Sequence, residues 1–165
     1  MRRASAIILW ITFLTSQQTR CTLQICTLTG DTYSMSQKNV LIVEDDPFLA
    51  GLIVDQLSKV GIANHLVGNA EDALDYLAKN KPDIILLDIL LPGMNGFVFL
   101  EGIRRKLALL HIPVIILSNL GQKNEIDRGV ALGAIEYMIK AEYTLDQIIE
   151  KVQRILALPS QSSSP

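Results

Sequence analysis

The chain has 165 residues, 49% of them hydrophobic and 19% charged, a balance that suits one packed domain and excludes a disordered chain. A formal net charge of −2 gives no electrostatic reason to expect nucleic acid or an anionic membrane as a standing partner. Two cysteines, Cys21 and Cys26, make neither a disulfide framework nor a zinc site.

Composition changes near Met35. Residues 1–34 carry Arg2, Arg3 and Arg20 against Asp31, and hold both cysteines and the single Trp10, whereas the remainder has a net negative charge. Met1-Arg2-Arg3 followed by the apolar stretch Ala6 to Leu14 has the form of the first two parts of a secretory signal, but no small-x-small cleavage site follows. The stretch falls well short of the roughly 20 residues that span a bilayer. Three readings stand: a non-essential extension or misassigned start ahead of Met35-Ser36-Gln37-Lys38, a membrane-associating peptide, and a true signal. The chemistry further along favours the first. The expected division is an extension over 1–34, a domain over 38–157 and a Ser-rich, disordered tail over 158–165.

From Asn39 onward the hydrophobic period switches repeatedly. Val40-Leu41-Ile42-Val43 is a continuous apolar run, as in a strand covered on both faces. Asp46-Pro47 supplies an N-cap and a first-turn proline for a helix that carries Leu49, Leu52, Ile53 and Leu57 and stops at Gly61. Ala63 to Val67 reads as a short strand, and Asn69 caps a helix that ends before Pro82. Asp83 to Asp88 is the next strand. The turn-rich Leu91-Pro92-Gly93-Met94-Asn95-Gly96 leads into a helix expected to run to about Leu109. Pro113 to Leu117 is a fourth strand, Glu125 to Leu132 a shorter helix, and Ile135 to Ile139 a fifth strand. Thr144-Leu145-Asp146-Gln147 has the form of a capping box opening the last helix. Alternating strands and helices predict an α/β fold, a doubly wound five-stranded parallel sheet with helices on both faces. Sites in such sheets lie at the carboxyl ends of the strands.

Those ends are polar. The first strand closes in Glu44-Asp45-Asp46, the third in Asp88, the fourth in Ser118 and the fifth in Lys140. Any one alone has a plain explanation, since acidic residues after a strand cap the next helix and a terminal lysine is commonly solvated. Together they define a site. Clustered carboxylates repel, and one takes up a proton unless a cation neutralises them. Oxygen-only ligands suit a hard cation such as magnesium, or manganese. A carboxylate beside such a cation, with a hydroxyl and an ammonium opposite, suits phosphoryl transfer. No Walker-type phosphate loop occurs, and Gly129 and Gly133 make no dinucleotide motif, so the phosphoryl donor is expected to be another molecule. His65 and His111 stand alone, and Arg104-Arg105-Lys106 reads as a solvated helix face.

Val43-Glu44-Asp45-Asp46, the run from Leu87-Asp88 through Pro92-Gly93-Met94-Asn95-Gly96, Leu117-Ser118-Asn119 and Tyr137-Met138-Ile139-Lys140 together resemble the receiver domain of two-component response regulators, in its chemotaxis-regulator-like form. The resemblance runs from about Val40 to Leu156. It implies a flavodoxin-like sheet of order 2-1-3-4-5 and a histidine kinase or histidine phosphotransfer protein as donor. It also implies Asp88 as phosphoacceptor and a metal held by Asp45, Asp88, the Leu90 backbone carbonyl and, through water, Glu44. Lys140 and Ser118 would stabilise the phosphoryl group, and Ser118 and Tyr137 would form the switch pair. Leu90 and Leu120 fall where the resemblance places the path of hydrolytic water, so slow dephosphorylation is expected. One departure stands out. Ala141 follows Lys140 where the family usually has a cis proline, and because a non-proline cis bond costs about 2.5–4 kcal/mol a trans bond is expected.

The leading expectation is a cytoplasmic receiver that is not an enzyme acting on other substrates. It signals through a separate downstream effector protein, with no direct contact to nucleic acid or membrane. A phosphorylation-independent pseudo-receiver binding module is the alternative, opposed by the intact Asp88, acidic pair and Lys140. A magnesium-dependent phosphohydrolase is a third, opposed by the lack of an Asp-x-Asp pattern at Asp88.

Overall fold

The computed structural model describes residues 37–157. The extension over 1–34 and the tail over 158–165 lie outside the described residues.

Five strands and five α-helices alternate: β1 (Asn39–Val43), α1 (Pro47–Lys59), β2 (Ala63–Val67), α2 (Ala70–Lys79), β3 (Ile84–Leu87), α3 (Gly96–Arg104), β4 (Val114–Ser118), α4 (Lys123–Ala131), β5 (Glu136–Ile139) and α5 (Leu145–Ala157). All pairings are parallel and the sheet order is β2-β1-β3-β4-β5. This is the flavodoxin-like arrangement expected from the sequence.

The aliphatic runs explain the layering. Successive strand residues point to opposite faces. Leu41, Val43, Ile85, Leu87, Val114 and Ile116 therefore enter one core with Ala73, Leu77, Phe97 and Leu100 of α2 and α3. Val40, Ile42, Ile84, Leu86, Ile115 and Leu117 enter the other with Ile53, Leu57, Ile149 and Val152 of α1 and α5. Each such side chain contributes roughly 1.5–3 kcal/mol on burial, so these two layers hold the strand ends in place. β2 is an edge strand, and its His65 stacks on Tyr76 at 4.2 Å, a packing role for that isolated histidine.

Helix signals act as the sequence predicts. Asp46 accepts from the Phe48 and Leu49 amides, Asn69 from the Asp72 amide, and the Thr144–Gln147 box closes in both directions. Two readings need correction. The third helix ends at Arg104 rather than near Leu109, and a single 3₁₀ turn, Leu107–Leu109, follows. The cause is Arg104, whose guanidinium donates to the carbonyls of Leu110 (3.0 Å), Ile112 (2.9 Å) and Gly133 (2.9 Å) and folds the chain back. Arg104 is thus a clamp on three carbonyls and not part of a solvated basic face. The fourth helix begins at Lys123, earlier than expected, because the Glu125 carboxylate accepts from the Gln122 amide and caps the first turn. Among the described residues no helix is long and apolar enough to cross a membrane.

Candidate functional site

The register sets the site. Val43 lies beside Leu87, and the Asp88 amide donates to the Val43 carbonyl at 2.9 Å, so Glu44 and Asp88 leave adjacent strands side by side. The Lys140 amide donates to the Ser118 carbonyl at 2.9 Å, which brings the end of β5 to the same rim. Glu44 and Asp88 are each 4% exposed and Ser118 is fully buried, whereas Asp45 is open to solvent.

Lys140 closes the cluster. Its Nζ lies 2.7 Å from Glu44 Oε2 and 2.6 Å from Asp88 Oδ2. Burial acts to lower the pKa of this ammonium, but the hydrogen bonds to Asp88 and Glu44 and their negative charge outweigh it, and the net shift is upward. The Glu44 carboxyl is shifted upward mainly by burial, against the opposing pull of Lys140. Lys140 thus gives both carboxylates a positive partner.

The surrounding backbone fixes the carboxylates. Asp88 Oδ1 accepts from the Leu90 amide at 3.0 Å. The chain then turns so tightly that a Cβ on Gly96 would sit 2.3 Å from the Asp88 carbonyl oxygen, a contact only glycine avoids. Asn95 caps α3 by accepting from the Phe97 amide at 2.9 Å. The Lys140–Ala141 bond is trans, since the described residues contain no cis peptide.

Oxygens from Glu44, Asp45 and Asp88 all lie within 4.8 Å of one another. This all-carboxylate donor set, open to solvent on the Asp45 side, fits a hard divalent cation. The cluster opens into a cleft of about 370 Å³ that also takes in Asp46, Leu90, Asn119 and Lys140. Asn119 carries no role in the sequence reading; its position directly after Ser118 at a strand end is the signal that places it there.

Ser118 and Tyr137 both hydrogen-bond to the Leu120 backbone. Ser118 Oγ accepts from the Leu120 amide at 3.4 Å, and the Tyr137 hydroxyl donates to the Leu120 carbonyl at 2.9 Å. Burial raises the Tyr137 phenol above its ordinary pKa, with the Glu125 carboxylate adding to the shift and a hydrogen bond with Ser118 opposing it. The two leucines differ. Leu90 is 47% exposed and lines the cleft, whereas Leu120 packs against the core beneath α2 and α3.

An open parallel sheet of order β2-β1-β3-β4-β5, with clustered carboxylates, a lysine and a hydroxyl at its carboxyl edge, defines a flavodoxin-like fold with an acidic site at the strand ends. Residues 40–153 match the response regulator receiver domain family, and the chain belongs to it. It is 35% identical over 119 residues to the transcriptional regulatory protein BaeR of Escherichia coli, covering 71% of this chain and 47% of that protein, so it spans about half of that relative. It is 32% identical over 126 residues to sporulation initiation phosphotransferase F of Bacillus subtilis, covering 76% of this chain and 99% of that one. The non-phosphorylated HemR receiver domain of Leptospira biflexa superposes with a TM-score of 0.68 at 27% identity, covering 74% and 97% of the two chains. The chain is a receiver domain of the two-component type.

Proposed function

We propose that the domain takes a phosphoryl group from a histidine kinase or histidine phosphotransfer protein onto Asp88 and signals through a separate effector protein in the cytoplasm. The observation that carries this reading is the bridge from Lys140 to both Glu44 and Asp88, which joins three strand ends around one carboxylate. The near full-length likeness to a protein named a phosphotransferase supports a relay role.

In the transfer, an Asp88 carboxylate oxygen attacks phosphorus in line, the new O–P bond forms as the donor's P–N bond breaks, and the electron pair leaves with the donor imidazole. Lys140 already contacts Asp88 and moves its charge onto a phosphoryl oxygen. The Ser118 hydroxyl donates to another, and Tyr137 follows it through Leu120. Asp45, Asp88, the Leu90 carbonyl and, through water, Glu44 would hold magnesium or manganese, which would supply charge neutralisation for the incoming group. Incubating the full chain with a small acyl phosphate and magnesium tests the reading. One stable phosphoryl mass gain supports it; no gain points to a phosphorylation-independent module, and continuous release of phosphate to a hydrolase.

Leu90 is proposed to slow the return to the free state. Hydrolysis needs a positioned water, and a leucine in the cleft offers no hydrogen bond to hold one. Leu90→Asn is expected to hasten loss of the phosphoryl group about tenfold while leaving its uptake intact, measured as decay after donor removal. Equal decay rates would remove Leu90 from this role.

Residues 1–34 are proposed to be dispensable, because the residues from 37 onward complete both cores by themselves. A chain starting at Met35 should melt within about 2 °C of the full chain, a change below roughly 1 kcal/mol. A larger fall would show that the apolar segment packs on the domain.

A further inference from the structure

We propose that Gly129 is a positioning residue for the Tyr137 switch: the side chain it lacks leaves the space in which the Tyr137 ring lies inward. The proposal rests on the Ser118–Tyr137 reading and extends it to α4.

Gly129 is the single buried residue of α4. A Cβ placed there would lie 2.7 Å from Ile116 Cδ1, and 2.8 and 3.2 Å from Cδ2 and Cε2 of Tyr137. Carbon atoms in comfortable contact stay about 3.5–4.0 Å apart, so one of three groups must give way. The Ile116 contact is with the terminal methyl of a flexible side chain, which turns aside by rotation about its last torsion, whereas the Tyr137 contacts are with a rigid ring that moves only as a whole. The two residues are neighbours across the β4–β5 pairing.

The helix is held too. Its C-terminal turn is pinned by Arg104, which donates to the Gly133 carbonyl at 2.9 Å, and by the Ala134 amide, which donates to the Gly129 carbonyl at 3.1 Å. On its flank the Arg128 guanidinium lies 4.4 Å from the centre of the Phe97 ring. The Tyr137 ring is half-buried, and its hydroxyl donates to the Leu120 carbonyl at 2.9 Å. It is the group that yields.

Helix chemistry sharpens the point. A glycine inside a helix is less favourable than alanine by about 1 kcal/mol, so alanine at an ordinary helical position stabilises. Here the seat of the ring reverses that sign. Displacing the ring breaks its bond to Leu120 and uncouples Tyr137 from Ser118, while Asp88, Glu44 and Lys140 stay untouched.

The test uses the full chain with Gly129→Ala, followed by NMR. In the wild type, nuclear Overhauser contacts join the Ile116 δ-methyl to the Tyr137 ring, and the ring resonances shift on phosphorylation with acetyl phosphate and magnesium. In Gly129→Ala both are expected to vanish, with phosphoryl uptake within about twofold of wild type because no group at the reacting carboxylate has moved. Persistence of the Ile116–Tyr137 contacts would overturn the proposal, as would uptake lost in the variant alone. Melting temperatures provide a second reading. Gly129→Ala should lower the melting temperature when Tyr137 is present and raise it in a Tyr137→Ala background; the same change in both backgrounds would overturn the proposal. The contact and melting measurements use unphosphorylated protein, so a failure of the receiver reading, seen as no uptake by wild type, registers separately.

Discussion

Asp88→Asn is expected to reduce phosphoryl uptake to background, a loss of at least about a thousandfold in rate, because the amide oxygen is a far weaker nucleophile than the carboxylate it replaces. The variant should fold, since asparagine keeps the size of the side chain and its Oδ1 still accepts from the Leu90 amide. Radiolabel incorporation from a small acyl phosphate, with magnesium present, measures the difference. Uptake at the wild-type rate would show that another residue carries the phosphoryl group.

The second large effect concerns Lys140. Its side chain is 10% exposed, and the ammonium sits between side chains of Glu44 and Asp88 that are 3% and 5% exposed. Removing one partner of a buried ion pair leaves uncompensated charge and costs about 3 kcal/mol or more. Lys140→Met, which keeps the aliphatic stem and deletes the charge, should therefore lower the metal-free melting temperature by roughly 10 °C. Magnesium should restore more stability to this variant than to the wild type, because a divalent cation then supplies the missing positive charge.

The deficit should also depend on pH. Glu44 is already shifted above its ordinary 4.5 by burial, and without Lys140 it rises further. A carboxyl with a raised folded pKa destabilises the fold when ionised, so the deficit is largest near neutral pH and shrinks as pH falls through that raised value toward 4.5. A variant melting with the wild type at neutral pH, without metal, would contradict the pairing.

How much of this was legible in the sequence follows from where the information resides. The runs at 40–43, 84–87 and 114–117 are aliphatic at every position because the sheet is covered on both faces, and each ends abruptly in polar residues. That made the strands and the rim of the site readable. The order of the strands came with the family resemblance, since periodicity alone carries no pairing information. The direct contact of Lys140 with Glu44, 96 residues away, is beyond the sequence for the same reason: the resemblance sets the lysine against a phosphoryl group, and the fold also pairs it with both carboxylates.

The end of α3 is hidden in the sequence because Leu107, Leu109 and Leu110 continue a helical apolar pattern, while the contacts of Arg104 with backbone carbonyls leave no trace in hydropathy. Gly129 was equally silent. A glycine in an amphipathic helix looks like a weak helix position until the ring and methyl packed against it are seen.

Reductive trapping is the most direct measurement of the central claim. Borohydride converts an aspartyl phosphate to homoserine, and peptide sequencing then locates it. After phosphorylation with a small acyl phosphate and magnesium, the account predicts homoserine at position 88 and at no other aspartate. Homoserine elsewhere, or none in a protein that has gained phosphoryl mass, would contradict it.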